Sequence, residues 1–219
     1  MKQSDRIQAV IFDMDGVLTD SEPLINAAAV AMFQEIGLEV RPEDFIPFIG
    51  TGENRYLGGV AEKYCFPIEI SSAKKRTYEI YLELAPAQLR SFPGAQRMVA
   101  LCREAGLKVA VASSADRIKV TANLKIIGLP PESWDTVISG NDVQHKKPAP
   151  DIFLAAAARL QIAPSYCTVV EDTAHGIQAA KAAGMRCVVL TQTFPAEALP
   201  GADVLRPTLD EIELGDLLG

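Results

Sequence analysis

The chain has 219 residues, 48% of them hydrophobic, enough for one sizeable core or for a core carrying an insert. A formal charge of -7 sets the overall field against a nucleic-acid backbone or an anionic membrane surface. Four scattered cysteines, Cys65, Cys102, Cys167 and Cys187, have neither metal-site nor redox spacing, and no apolar stretch is long enough for a membrane span.

The first apolar run, residues 9–12, has the length of a buried strand and leads straight into Asp13-Met14-Asp15-Gly16. Side chains alternate along an extended chain, so Asp13 and Asp15 can leave it on the same side, and Gly16 permits a turn. Two carboxylates held together repel, and a hard divalent cation with oxygen ligands, magnesium above all, relieves that repulsion. An ordinary polar turn uses the same residues.

Residues 22–89 then break the pattern. Helical stretches at 24–36 and 73–84 dominate, and strand signals are few. The flanks, Asp20-Ser21-Glu22-Pro23 and Ser91-Phe92-Pro93-Gly94, have turn chemistry suited to hinges. Beyond them, apolar runs at 108–112, 168–170 and 187–190 alternate with helical patterns at 95–105, 150–160 and 175–183, the first and last of these closed by Gly106 and Gly184. The alternation predicts an α/β fold, a doubly wound parallel sheet over 1–20 and 90–219, with a helical cap inserted at 21–89.

In such a sheet, ligands gather beyond the carboxyl ends of the strands. Ser113-Ser114 follow the run at 108–112 and offer hydroxyls and amides to a phosphate oxygen, or simply cap a helix. Lys146-Lys147-Pro148 precede the helix at 150–160; Lys147 suits neutralisation of a phosphoryl group, and Lys146 suits a solvated surface. Glu171-Asp172 follow the run at 168–170 and offer a second acidic pair to a cation, or an exposed turn. Their order along the chain, each at a strand end or helix start, points to one crevice.

IFDMDGVLTDSEP, VAVASSADR, KKPAPDIFLAAA and VVEDTAHGIQAAKAAGM together resemble the motifs of the haloacid dehalogenase superfamily of phosphotransferases. Within it, the chain is similar to the subgroup of β-phosphoglucomutase and sugar-phosphate phosphatases, which carry a helical cap after the first strand. IGTGENRYLGGVAEKY and GLKVAVASSADRIKVTANL also resemble a dehalogenase-like domain of a multidomain plant thylakoid protein. The resemblance implies Asp13 as nucleophile and magnesium ligand, and Asp15 as general acid and base with its backbone carbonyl on the metal. It implies Ser113 and Lys147 on the transferring phosphate, and Asp172 with Glu171 completing the metal shell. Ser114, Arg117 and the cap-loop residues Thr51, Glu53 and Arg55 are the expected substrate contacts.

The reaction so implied is Mg2+-dependent hydrolysis of a small phosphorylated metabolite by a monomer, with no nucleic-acid or membrane partner. Its expected place is the cytoplasm, or an organelle stroma once a targeting segment is removed. A mutase of the β-phosphoglucomutase kind implies a histidine and an arginine where Ile25 and Glu53 stand, which argues against it. A regulatory module without catalysis is the second alternative. His145, His175 and Trp134 are expected at the surface, behind the site or in packing.

Overall fold

The computed structural model describes residues 6–219. Strand β1 (Ala9–Phe12) leads into the short β2 (Thr19–Asp20). Helices α1 (Glu22–Glu35), α2 (Glu53–Lys63) and α3 (Ile70–Gln88) follow, with a 3-10 segment at Pro42–Phe48, and β3 (Arg90–Ser91) brings the chain back. The remainder alternates: α4 (Ala95–Glu104), β4 (Lys108–Ala112), α5 (Arg117–Ile126), β5 (Thr136–Ile138), α6 (Asp151–Leu160), β6 (Cys167–Glu171), α7 (Ala174–Ala182), β7 (Arg186–Leu190), β8 (Val204–Arg206) and α8 (Leu214–Leu218). Among the described residues, six strands form a parallel sheet in the order β5-β4-β1-β6-β7-β8.

Alternation along the strands explains why both faces are covered. Val10 and Phe12 point with Val109, Val111, Val170 and Val188 into a core shared with α4, α5 and α8. Ala9 and Ile11 point with Ala110, Ala112, Val169 and Val189 into a second core against α6 and α7. Trp134 packs edge-on against Phe12, and its ring N–H donates to the Leu129 carbonyl at 3.0 Å, a packing role. Cys102, Cys167 and Cys187 are buried free thiols and Cys65 is an exposed one. No helix among the described residues is long and apolar enough to cross a membrane.

Helices α1, α2 and α3 enclose a third core, around Met32, Phe33, Phe45, Leu57, Val60 and Tyr81. Chain entry to and exit from these helices lie side by side, because β2 and β3 pair antiparallel with Thr19 opposite Ser91 and Asp20 opposite Arg90. We propose the division of core and cap at this ribbon.

Several elements differ from the sequence expectation for identifiable reasons. Strands β5 and β8 have three residues each and lie at the sheet edges, only partly buried, so neither makes an apolar run. Helix α3 begins before residue 73, because the Glu69 side chain accepts from the amides of Ser71 and Ser72 and caps residues that otherwise favour turns. Strand β6 extends through Glu171, which therefore sits in the sheet and not in the turn beyond it.

Candidate active site

Asp13 is the first residue past β1. From β1 the sheet runs outward through β4 and β5 on one side and through β6, β7 and β8 on the other, so β1 stands where the strand order reverses. The Asp13 amide donates to the Val170 carbonyl at 2.9 Å, which fixes the side chain at the strand mouth. Lys147 Nζ donates to Asp13 Oδ1 and, at 2.6 Å, to Glu171 Oε1. This ammonium is buried and lies 4.9 Å from the centre of the Phe153 ring.

The Glu171-Asp172 pair divides its work. Glu171 Oε2 accepts from the amides of Asp172 and Thr173, at 2.8 and 2.9 Å, and from Thr173 Oγ1. Room for it comes from Gly176 in the first turn of α7, where a Cβ would overlap the carboxylate. Both Glu171 oxygens are engaged by protein donors, and these direct contacts hold Lys147 and the start of α7. Asp172 turns towards Gly16; its Oδ2 accepts from Thr193 Oγ1 at 2.5 Å, and its Oδ1 is buried with no hydrogen-bond partner.

Asp15 is held on several sides. Its Oδ1 accepts from Ser21 Oγ, lies 3.1 Å from Lys119 Nζ and 3.5 Å from Asn123 Nδ2. Its Oδ2 lies 3.4 Å from Ser113 Oγ. Lys119 is 2% exposed, with Nζ 3.7 Å from Glu53 Oε1 and 5.4 Å from the Tyr81 ring centre. Tyr81 in turn donates to Asn123 Oδ1 at 2.8 Å. Sequence reasoning missed Ser21, Lys119, Asn123 and Thr193. A usable signal existed for two of them: Lys119 and Asn123 are four apart on the helix that follows Ser113, hence on one face of it.

Electrostatics at this mouth is dominated by carboxylates. Burial pushes the Asp13 carboxyl up; Lys147 opposes that, and Glu171 and Asp15 add to it. Asp172 is raised well above the usual carboxylate range by burial and by the charges of Glu171 and Asp13. Burial would raise Glu171 too, but the Lys147 charge and the hydrogen bonds from Lys147, Thr173 and Asp172 outweigh it and hold the group low. Burial disfavours the Lys147 charge, yet Asp13 and Glu171 keep the ammonium protonated.

A cavity of about 40 Å³ separates the sheet end from the cap. Asp13, Asp15, Ser113, Ser114, Lys119 and Lys147 line it from the core, and Ile25, Phe48, Gly50, Gly52, Glu53 and Tyr56 from the cap. The structure does not bring Thr51, Arg55 or Arg117 to it. Thr51 Oγ1 donates to the Phe48 carbonyl at 2.7 Å. Arg55 pairs with Glu62 at 2.7 Å and lies over the Phe48 ring, and Arg117 pairs with Asp142; both arginines are exposed and paired with a carboxylate. His145 bonds Asp151 at 2.9 Å on the surface, and Lys146 lies 3.4 Å from Asp116.

Among the described residues no three histidine, cysteine or acidic side chains stand ready-clustered as metal ligands. A ligand set of two side chains and one backbone carbonyl does not require such a cluster. Asp13 and Asp172, with the Asp15 carbonyl, fit a hard divalent ion on two observations. Asp172 Oδ1 is a buried acceptor without a donor, and four carboxylates here (Asp13, Asp15, Glu171, Asp172) meet two ammonium groups (Lys147, Lys119), an excess of two negative charges when all are ionised.

Comparison with known proteins gives a concordant result. Protein SUPPRESSOR OF QUENCHING 1, chloroplastic, of Arabidopsis thaliana is 48% identical over 218 residues, which cover 97% of this chain but 21% of that protein. The chain thus spans about a fifth of the length of that relative. Hexitol phosphatase B of Escherichia coli (strain K12) is 31% identical over 226 residues, the full length of both chains. The crystal structure of CbbY from Rhodobacter sphaeroides in complex with phosphate superposes with a TM-score of 0.86 at 29% identity, covering 96% of this chain and 99% of that one. The family model for haloacid dehalogenase-like hydrolases matches residues 7–184, from β1 through α7. That stretch contains Asp13, Asp15, Ser113, Lys147, Glu171 and Asp172 together, and by it the chain belongs to the haloacid dehalogenase-like hydrolases.

Proposed function

We propose that the chain is a magnesium-dependent phosphatase of small phosphorylated metabolites of the sugar-phosphate class, acting through an aspartyl-phosphate on Asp13. The observation that carries this reading is the convergence of Lys147, Asp172 and Asp15 on Asp13 at the central strand end, from positions up to 159 residues apart in sequence. Similarity to a hexitol phosphatase and to a protein crystallised with phosphate supports the phosphate chemistry and the substrate class.

Asp13, Asp172 and the Asp15 carbonyl would hold Mg2+, with Glu171 at the edge of the site. When bound, the ion supplies positive charge that lets a phosphate dianion approach a carboxylate. Lys147 opposes the cost that burial puts on ionising Asp13 and aims its carboxyl out of the strand. An Asp13 carboxylate oxygen attacks phosphorus while the bond from phosphorus to the leaving oxygen breaks, and Asp15, in its acid form, gives that oxygen its proton. The alcohol leaves. Asp15, now a carboxylate, takes a proton from a water whose oxygen attacks phosphorus, and the bond to Asp13 breaks to return the carboxylate and release phosphate. Ser113 Oγ, beside Asp15, is placed to donate to a phosphoryl oxygen.

Phosphate release from p-nitrophenyl phosphate in the presence of magnesium tests the reading. Chelation should abolish it reversibly, and Asp13→Asn should lower kcat by about a thousandfold or more while leaving the melting curve intact. Turnover retained by Asp13→Asn would remove the covalent mechanism. Ile25 and Glu53 face the cavity and supply neither histidine nor cation there, which speaks against the mutase alternative.

A further inference from the structure

We propose that Glu53, presented by Lys119, makes this site selective for monophosphates whose leaving group carries hydroxyls and no second anionic group. The inference rests on the phosphatase reading above and concerns the half of the cavity beyond the phosphorus.

Both ammonium groups that line the cavity already serve two carboxylates each. Lys147 lies between Asp13 and Glu171, and Lys119 between Asp15, at 3.1 Å, and Glu53, at 3.7 Å. Arg55 and Arg117, the arginines nearest in sequence, pair with Glu62 and Asp142 on the outside. Within the lining, a second phosphate or a carboxylate on the substrate would therefore find no spare cation; Lys146, behind Gly52, is held with Lys74 by Asp116. Such a group would instead meet Glu53 in a water-poor space, where like charges repel most strongly.

Three side-chain oxygens in the same lining lack any partner, Glu22 Oε2, Glu53 Oε2 and Ser114 Oγ, the last two on residues only 5% exposed. A carboxylate oxygen can only accept, so Oε2 of Glu53, a residue beside the Tyr78 hydroxyl, is open to an O–H or N–H donor. The Ser114 hydroxyl can donate or accept. A hydroxyl-bearing carbon chain supplies both kinds of group, and a leaving group without hydroxyls leaves both residues unpaired, the situation in which polar sites discriminate most sharply. Glu53 is the first residue of α2 in the cap and Lys119 belongs to α5 of the core, so the pair exists only when cap and core are together.

The test is a kcat/KM panel on the intact protein with magnesium: sorbitol 6-phosphate, fructose 1,6-bisphosphate and phosphoglycolate, with p-nitrophenyl phosphate as the reference for chemistry and folding. The wild-type chain is expected to favour the polyol monophosphate by about a hundredfold over both competitors that carry a second anionic group, and Glu53→Gln to shrink that ratio about tenfold or more. Wild-type protein that cleaves p-nitrophenyl phosphate but takes the bisphosphate or phosphoglycolate equally well overturns the inference while the phosphatase reading stands. The inference falls equally if Glu53→Gln hydrolyses the reference substrate and keeps the wild-type ratio. If Glu53→Gln fails to fold, the wild-type panel still decides. Failure on every substrate, p-nitrophenyl phosphate included, sinks the phosphatase reading itself.

Discussion

Glu22 Oε2 is sealed from solvent and bonded to nothing. Burial, opposed by Lys119 and reinforced by Asp15 and Glu53, lifts the carboxyl from 4.5 to about 7. An acid with a raised folded value binds its proton more tightly folded than unfolded. Its ionisation therefore subtracts stability as pH rises from about 4.5 to 7, and the full cost persists above that. Glu22→Gln, permanently neutral, should melt with the wild type at pH 4 and a few degrees higher at pH 8, a gain on the order of 1–2 kcal/mol. Equal melting temperatures at pH 8 would show that water reaches this carboxyl. At this scale, legibility followed position. Asp13, Ser113, Lys147 and Asp172 stand directly at strand ends or helix starts, where a residue type alone suggests chemistry. Lys119 sits inside a helix that also exposes Arg117 and Lys125, and the packing of the cap over α5 turns it from a surface lysine into a buried one.

Helix α7 illustrates how an element, and not a residue, sets the site. Its first turn passes so close to β6 that Gly176 touches the Glu171 carboxylate, which in turn accepts the amides that open the helix. Thr173 Oγ1 accepts from the Gly176 amide and completes the start. A methyl group at 176 must displace Glu171, and with it the second anchor of Lys147. Gly176→Ala should therefore lower kcat for p-nitrophenyl phosphate about tenfold or more with little change in KM, although alanine has the better helix propensity. A kcat equal to wild type would detach Lys147 from this chain of contacts. The sequence already marked α7 through its apolar spacing and terminal Gly184, but nothing in that spacing shows how near the helix passes to β6. The same limit hid β2 and β3, whose significance comes from pairing across a long insert.

The whole molecule is in a closed arrangement. A cavity of about 40 Å³ has room for a few waters, so on the proposed function the cap lifts to admit a sugar phosphate. The cap loop fits against the core through Gly50 and Gly52. A Cβ at Gly52 would collide with Lys146 and stand 3.0 Å from the Ser114 carbonyl, and one at Gly50 would stand 3.2 Å from Thr173 Oγ1. Magnesium with orthovanadate as a phosphoryl analogue should hold the lid down and slow amide hydrogen exchange at residues 50–52 by about threefold or more, with β1 unchanged. Unaltered exchange in that loop would mean that the lid is indifferent to the occupant. A helical insert was legible from its composition, but the surface it presents to the core was not, because shape complementarity leaves no periodic trace.

The pairing of Asp20 with Arg90 has a further consequence. A segment whose two ends already touch adds no strain to the sheet, whatever its length, so a foreign insert with similarly adjoining ends could be grafted at this ribbon without disturbing β1 or β4. On the proposed function, the share of substrate recognition carried by the insert can then be inherited separately from the residues at the sheet end, by transplanting one contiguous stretch of chain.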